Sequence, residues 1–403
     1  MEYFNCDISA LVIVFLSLAF LAALYSAIFG MSPIRRVARY GRRAAAEEDK
    51  LLNIADDKLP SVTVVVYARN AEHNLRNFIE TIERQNYPHF EIVIVNDGSV
   101  DMTKEIAETL EKEYDNIKYT FVSNTAKNVS PIKVAYTLGI KAADNEVIVT
   151  TASNCRPTSD NWLRLLCAPL SSPTTGISLG YSYVPQEKTT DNGRWDRAFD
   201  STMSAAEWLG AALNDKTFRG DQYNLAFRKH LFFDNRGYAS STALYGGHDD
   251  IFINEIARRA KCAVALHPDA QMVVEWAPEQ IQRLYRDARD RRLFVAGMLK
   301  SSAFLEQTLN NVAIWLTLAF SVVAILLSVP NFFPILFSLV IIFALWGYEI
   351  CLYRRTATLL KNLVFTWTVP LRWLTRPVLN FIRGRKAKSD NGKQYTWSVG
   401  MQR

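Results

Sequence analysis

Asn145-Glu-Val-Ile-Val-Thr-Thr-Ala-Ser-Asn-Cys-Arg-Pro-Thr-Ser-Asp-Asn161 carries an apolar, β-branched run, Val147 to Val149, straight into a polar turn stopped by Pro157. The same form recurs upstream at Val95-Asn96-Asp97-Gly98-Ser99, and a still earlier run, Val62 to Tyr67, ends in Ala68-Arg69-Asn70. Nearly continuous apolar runs of this length mark strands buried on both faces of a parallel sheet. Strands expected at Val62–Tyr67, Glu91–Val95, Ile117–Val122 and Glu146–Thr150 alternate with amphipathic helical patterns near 73–85, 101–114 and 131–143. That alternation predicts βαβ units and a mostly parallel, doubly wound α/β sheet. In such a sheet ligands collect outside the C-terminal strand edges, so the polar turns are the first candidates for a site.

Outside this region the 403-residue chain has two charge-free stretches, Ile8 to Ile34 and Thr308 to Tyr348. The first is long enough to span a bilayer as one helix. The second is longer, and Pro330-Asn331 with Pro334 near its middle predicts a hairpin of two spans. Glu2 and Asp7 precede the first stretch and no Lys or Arg does, which argues for an uncleaved anchor over a signal peptide. Arg35, Arg36, Arg39, Arg42 and Arg43 follow it directly, so the positive-inside rule puts them, and the domain after them, in the cytoplasm. The hairpin returns the chain to that side. Eleven Lys or Arg and one acid, Asp390, follow Glu349, a surplus larger than the +6 of the whole chain. Beside membrane spans such a tail suits an anionic leaflet and not nucleic acid. The expected organisation is therefore spans at 8–31, 308–329 and 332–352, a basic and polar linker at 35–59, an α/β domain at 60–304, an interfacial segment at 357–383 and a disordered basic tail at 384–403. The five cysteines show no CxxC pair or zinc-type spacing and read as reduced thiols.

Several residues in the α/β region have chemistry suited to a site. Asp97, at a strand end, can accept hydrogen bonds from a base or ribose, and Gly98 lets the backbone turn tightly behind it. Lys133 stands near a helix start in Ser130-Pro131-Ile132-Lys133, where it either reaches a diphosphate or serves as a solubilising surface charge. Within Gly246-Gly247-His248-Asp249-Asp250-Ile251-Phe252, the carboxylates can take a proton from an attacking hydroxyl or cap the helix that follows. Arg286 and Arg289, three apart on one helix face, can grip a departing anion or lie against lipid headgroups. Trp195, Phe199, Trp208 and Leu209 repeat at a spacing that reads as core.

In this order the motifs resemble the membrane-anchored family 2 glycosyltransferases of the GT-A fold, the bacterial polysaccharide and glycolipid type, over roughly Pro60 to Phe304. The resemblance implies a GT-A domain with one N-terminal and two C-terminal transmembrane helices. It implies donor nucleotide contacts at Ala68, Arg69, Asp97, Lys133, Ser153 and Asn154, with Asp249 as catalytic base. His248 and Asp250 fall at the acceptor site, and Arg286 and Arg289 on the leaving diphosphate. The chain departs from the family pattern in three places: the Asp-x-Asp for a divalent metal falls on Ala152-Ser153-Asn154, the acid after Ala-Arg-Asn on Ala71 with Glu72 adjacent, and the first acceptor-site acid on His248. Asn154 keeps an oxygen ligand for Mg²⁺ or Mn²⁺ but lacks the charge that usually holds them.

The implied function is inverting transfer of a sugar from a nucleotide sugar, expected to be UDP-linked, to a lipid-linked or glycan acceptor. The expected setting is the cytoplasmic face of a bacterial inner membrane during surface polysaccharide or glycolipid assembly. Loss of several site acids also fits a non-catalytic scaffold or nucleotide-sugar sensor. Three spans make a poor channel for a processive, exporting synthase.

Overall fold

A computed structural model describes residues 9–122, 130–186, 191, 193–242, 244, 246–329 and 331–389. Helix α1 (Ala10–Tyr25) passes through a π-helical turn, Ser26–Gly30, into α2 (Ser32–Leu52). Arg35 reaches back to cap that turn, donating to the carbonyls of Ala27 (2.6 Å) and Ile28 (2.5 Å), where the helix dipole favours a cation. The segment expected as a linker is thus largely helical. Its apolar face, Ile34, Val37, Ala38, Tyr40 and Ala44, is buried in the same core as the sheet, while Arg39, Arg42 and Arg43 remain exposed.

Strand β1 (Val62–Ala68) then alternates with α3 (Leu75–Glu83), β2 (Phe90–Asn96), α4 (Thr103–Glu113), β3 (Ile117–Phe121), α5 (Pro131–Ala142) and β4 (Val147–Ala152). The chain continues through β5 (Cys155–Pro157), α6 (Trp162–Cys167), β6 (Thr175–Leu179), β7 (Ser182–Tyr183), α7 (Arg194–Ala212), β8 (Leu225–Arg228), α8 (Lys229–Asp234), α9 (Asp250–Ile256), β9 (Lys261–Val264) and β10 (Met272–Val274). The main sheet has the order β3-β2-β1-β4-β8-β6-β9. Its β3, β2, β1 and β4 are mutually parallel, and β8 runs antiparallel between β4 and β6. A smaller sheet, β5-β10-β7, carries the chain past the end of β4. β4 is buried along its whole length and β1 nearly so, which is why continuous apolar runs occupy the middle of the sheet.

The strand order reverses between β1 and β4, where Tyr67 lies opposite Ala152. This is the switch point at which an open α/β sheet leaves a crevice outside its strand ends. The mixed α/β fold with a mostly parallel sheet therefore agrees with the expectation from sequence.

Beyond the domain, α10 (Ile281–Ala296) leads into α11 (Ala303–Ser328), α12 (Phe332–Leu359) and α13 (Val369–Ser389). Ala10–Gly30, Ala303–Ser328 and Phe332–Leu359 are each long and apolar enough to cross a membrane. The first two associate through Phe15 on Phe320 and a hydrogen bond from Ser26 Oγ to Asn310 Oδ1 at 2.8 Å. The α/β domain seats on this group through α7. At Gly210 a Cβ would overlap the carbonyl of Pro33, so the glycine allows α7 and α2 to touch backbone to backbone.

Disorder from residue 384 onward was expected, but residues 384–389 continue α13. Ala387 packs on Phe294 and Val295 of α10, and that contact stabilises turns which Arg and Lys alone would not. The rest of the expected tail, 390–403, and the Pro330 of the hairpin turn lie outside the described residues.

Candidate active site

A cavity of about 800 Å³ opens at the switch point, between the C-terminal ends of β1 and β4, the α9 loop, and the inner faces of α7 and α10. Its strand edge follows from the register of β1, β2 and β4. The backbone N–H of Asp97 donates to Ala68 O at 2.9 Å and that of Ser153 to Tyr67 O at 3.0 Å, so three strand ends are tied together before any side chain acts. Asp97 is buried. It accepts from Tyr67 Oη at 2.5 Å and lies 3.5 Å from Arg69 Nη1. Tyr67 and Arg69 line the cavity, as do Ser153 and Asn154. Asn70 (φ +48°) and Gly98 (φ +59°) turn the backbone left-handed on either side, and Ser99 Oγ accepts from Asn70 N at 3.0 Å.

Opposite this edge, Gly247 (φ +86°) turns the chain into His248-Asp249-Asp250 at the start of α9. Asp249 is the N-cap, accepting from Asp250 N at 2.9 Å, and also faces the cavity. Burial alone would raise its carboxyl, but the His248 ring, Arg219 and Arg291 hold it below the ordinary carboxylate range. Asp250 behaves oppositely. Burial, reinforced by the neighbouring Asp249 charge, outweighs Arg219 Nε at 2.8 Å and raises its carboxyl. His248 stacks on Tyr136 (ring centroids 5.5 Å apart) and meets Gln222 Oε1 through Nε2 at 2.9 Å. Burial pushes its pKa down to about 4, so the ring is neutral at physiological pH.

The third wall is α10, whose Leu284, Ala288 and Arg291 recur at helical spacing toward the cavity. Arg292, next along, donates to Asp200 of α7 at 2.8 Å. Asp200 also accepts from Tyr285 Oη (2.7 Å) and Arg376 Nε (3.2 Å). Arg376 in turn is bidentate to Glu207, at 2.5 and 2.9 Å, so α13 clamps α7 and α10 together. Asn362, just past the end of α12, reaches the cavity and donates to Tyr181 Oη at 3.2 Å. Trp208, on the stretch of α7 that meets α2, lines it as well.

Residues 63–235 match the family model described as glycosyl transferase family 2. That match covers most of the α/β domain, from β1 to the end of α8. The chain is 26% identical over 226 residues to the putative glycosyltransferase EpsH of Bacillus subtilis, covering 50% of this chain and 63% of that protein. It is 24% identical over 204 residues to the GalNAc(5)-diNAcBac-PP-undecaprenol beta-1,3-glucosyltransferase of Campylobacter jejuni, covering 49% of this chain and 60% of the relative. The matches thus span less than two thirds of those relatives. Among solved structures it is similar in fold to the mannosyltransferase PcManGT of Pyrobaculum calidifontis in complex with GDP-Man and Mn²⁺. That likeness has a TM-score of 0.52 at 17% identity and covers 91% of this chain and 99% of the other.

The α/β domain brings Arg69, Ser153, Asn154, Asp249 and Asp250 to one cavity, with Ala68, Asp97 and His248 supporting its walls. The expectations for Lys133, Arg286 and Arg289 do not follow that geometry. Lys133 is buried and turned away: Nζ donates to Ser241 O, to Ser241 Oγ at 3.0 Å and to Leu244 O at 3.0 Å, pinning the start of α5 to a loop about 110 residues later. Its burial pushes its pKa down to about 8. Arg286 is exposed and Arg289 pairs with Asp290 at 2.9 Å, so neither lines the cavity and Arg291 takes the inner position. Glu72, beside Ala71, does not turn toward the cavity and accepts from Met102 N at 3.1 Å near the start of α4.

The metal motif fails a donor test. Asn154 supplies one amide oxygen, and among the described residues no group of three His, Cys, Asp or Glu side chains is placed to hold an ion. Cavity residues that sequence reasoning missed are Tyr67, Trp208, Arg219, Asp221 and Arg291. For Arg291 a signal existed: Ile281, Leu284, Ala288 and Val295 mark the buried stripe of α10, and Arg291 lies on it.

Proposed function

We propose that the chain is an inverting glycosyltransferase, taking a sugar from a nucleotide sugar to an acceptor delivered by the membrane. The observation that carries this reading is the single cavity running from the β1/β4 edge, past Asp249, to Trp208 and Asn362 beside the apolar helices. The nucleotide lies on the Tyr67-Arg69-Asp97 edge, with uridine expected from the family resemblance. The acceptor hydroxyl approaches from the α7 side, attacks the anomeric carbon opposite the phosphate, and gives its proton to Asp249. An ionised Asp249 suits that role, since a base must be deprotonated before it acts. Tyr136 and Gln222 keep the neutral His248 in place next to it.

A lipid-linked acceptor is supported by Asn362 and Trp208, which join the cavity to elements packed on α12 and α2. Cytoplasmic placement of the domain rests on Arg35, Arg36, Arg39, Arg42 and Arg43 following α1. A second assignment gives the base to Asp250, favoured by its raised carboxyl and its pairing with Arg219.

The test is transfer from a panel of radiolabelled UDP- and GDP-sugars into a bacterial lipid extract by the detergent-solubilised chain. Wild type yields one labelled product; Asp249→Asn abolishes it while Asp250→Asn retains a measurable rate. The reverse order moves the base to Asp250. No product from any donor, with nucleotide still bound, leaves a nucleotide-sugar sensor as the better account.

A further inference from the structure

We propose that the nucleoside diphosphate is bound and released here without a divalent cation, its charge met by Arg291 with Arg219. The inference rests on the transferase reading and departs from the metal-dependent pattern that the fold resemblance implies.

The first ground is the donor set. At the end of β4, where the family pattern puts acids, the chain has Ala152-Ser153-Asn154, and a single amide oxygen is a weak ligand for Mg²⁺ or Mn²⁺. Two carboxylates that line the cavity with Asn154 are otherwise engaged. Glu275, whose N–H donates to Asn154 O at 2.8 Å, pairs through its side chain with Arg156 at 3.0 Å. Asp221 accepts from Ser182 N at 2.7 Å, Ser182 Oγ at 2.8 Å and Tyr223 N at 3.0 Å.

The second ground is a cation with no direct partner among the described residues: Arg291 lowers the Asp249 carboxyl through space and forms no ion pair with it. Arg292 and Arg376 are balanced by Asp200 and Glu207, Arg289 by Asp290, and Arg69 shares Asp97. Arg291 faces the same cavity and has no hydrogen bond or ion pair among the described residues. Its position is built. A Cβ at Gly246 would come within 2.6 Å of Arg291 Cδ and 3.0 Å of Cγ, so the glycine leaves a bed in which the arginine stem lies against the loop carrying Asp249. Arg219, held by Asp250 at 2.8 Å, stands on the same wall.

The chemistry balances without further reagents. The acceptor oxygen forms a bond to the anomeric carbon as the bond from that carbon to the diphosphate oxygen breaks. The proton passes to the carboxylate base and the electron pair to the departing diphosphate. A guanidinium forks onto two phosphate oxygens and strengthens as their charge grows, which is the work a metal ion does in a metal-dependent site.

The experiment is calorimetric titration of UDP and GDP into detergent-solubilised protein in EDTA and again in Mn²⁺, with uridine and guanosine as diphosphate-free controls. Wild type, Arg291→Ala, Arg291→Lys and Gly246→Ala are compared, each checked for an unchanged melting temperature. One diphosphate is expected to bind wild type within about twofold in the two buffers. Arg291→Ala should weaken that binding by about tenfold or more, Arg291→Lys should recover part of it, and nucleoside binding should stay the same. Gly246→Ala should follow Arg291→Ala by displacing the stem. Binding that requires Mn²⁺ overturns this inference and leaves the transferase reading standing, as does Arg291→Ala binding like wild type. No binding of either nucleotide in either buffer overturns both.

Discussion

The two sides of the cavity were built in different ways. The strand edge is made from three parallel strand ends held in register by backbone hydrogen bonds, with Asp97, Ser153 and Asn154 within a few residues of the strands that place them. The opposite wall is assembled from α7, α9, α10 and α13, and its geometry depends on pairs such as Asp200 with Arg376, 176 residues apart. A strand edge carries its site with it, whereas a helix wall has a site only once its neighbours fix the rotation of each helix. If this contrast is right, substitutions on the edge should alter ligand binding at little structural cost, and those on the wall should cost stability and chemistry together.

The sharpest break would come at Asp249. Asp249→Asn should lower the transfer rate by about 10² to 10⁴-fold, the usual range for removing a general base, while leaving nucleotide affinity nearly unchanged. Steady-state rates with the labelled donor, set beside calorimetry, separate the two effects. An equal loss in both would place Asp249 in the donor site and blur the distinction between the walls.

Asp200 tests the wall itself. It is buried among Arg292, Arg376 and Tyr285, and although burial opposes ionisation the two arginines hold its carboxyl well below the usual range. Removing it strands Arg292 and takes one of two carboxylate partners from Arg376, which keeps Glu207, so Asp200→Ala should destabilise the protein by about 3 kcal/mol or more. Thermal melting in detergent measures this. A melting point equal to wild type would mean that α13 does not clamp the cavity.

His248 sharpens the comparison through pH. Its pKa is depressed to about 4 in the folded protein against about 6.5 in an unfolded chain, so between those values the unfolded state binds more protons. The stability is fully present above about pH 6.5 and lost as pH falls toward 4, by up to about 3 kcal/mol. Denaturant melts at pH 7 and pH 5 should show wild type losing more than His248→Gln. Equal losses would show that the ring is not held neutral. The smallest effect belongs to Arg286→Ala and Arg289→Ala, which should each leave nucleotide affinity within about twofold, as for exposed or surface-paired charges.

The same contrast explains what could be read in the sequence. The alternation of β-branched runs with helical stripes, and a turn after each run, marked the sheet and its polar strand edges, Asp97 among them, because periodicity and turn chemistry are local. Asp249 was legible as a carboxylate at a helix start, although its cap and its place in the cavity coexist where sequence posed them as alternatives. Lys133 was misplaced because the acceptors that bury it come from Ser241 and Leu244. On α10 the abundance of arginines hid the phase of the helix, and the apolar stripe was the better guide. Trp208 gave no signal, since most of α7 is buried on every side and its aromatics look like core.

The central claim is that the β1/β4 edge is a nucleotide site organised by Asp97. Calorimetric titration of UDP and GDP into the wild-type protein and into Asp97→Ala tests it most directly. The account predicts saturable binding of one nucleotide, weakened about tenfold or more when the buried carboxylate is removed. Binding of neither nucleotide, or equal binding by Asp97→Ala, would contradict it.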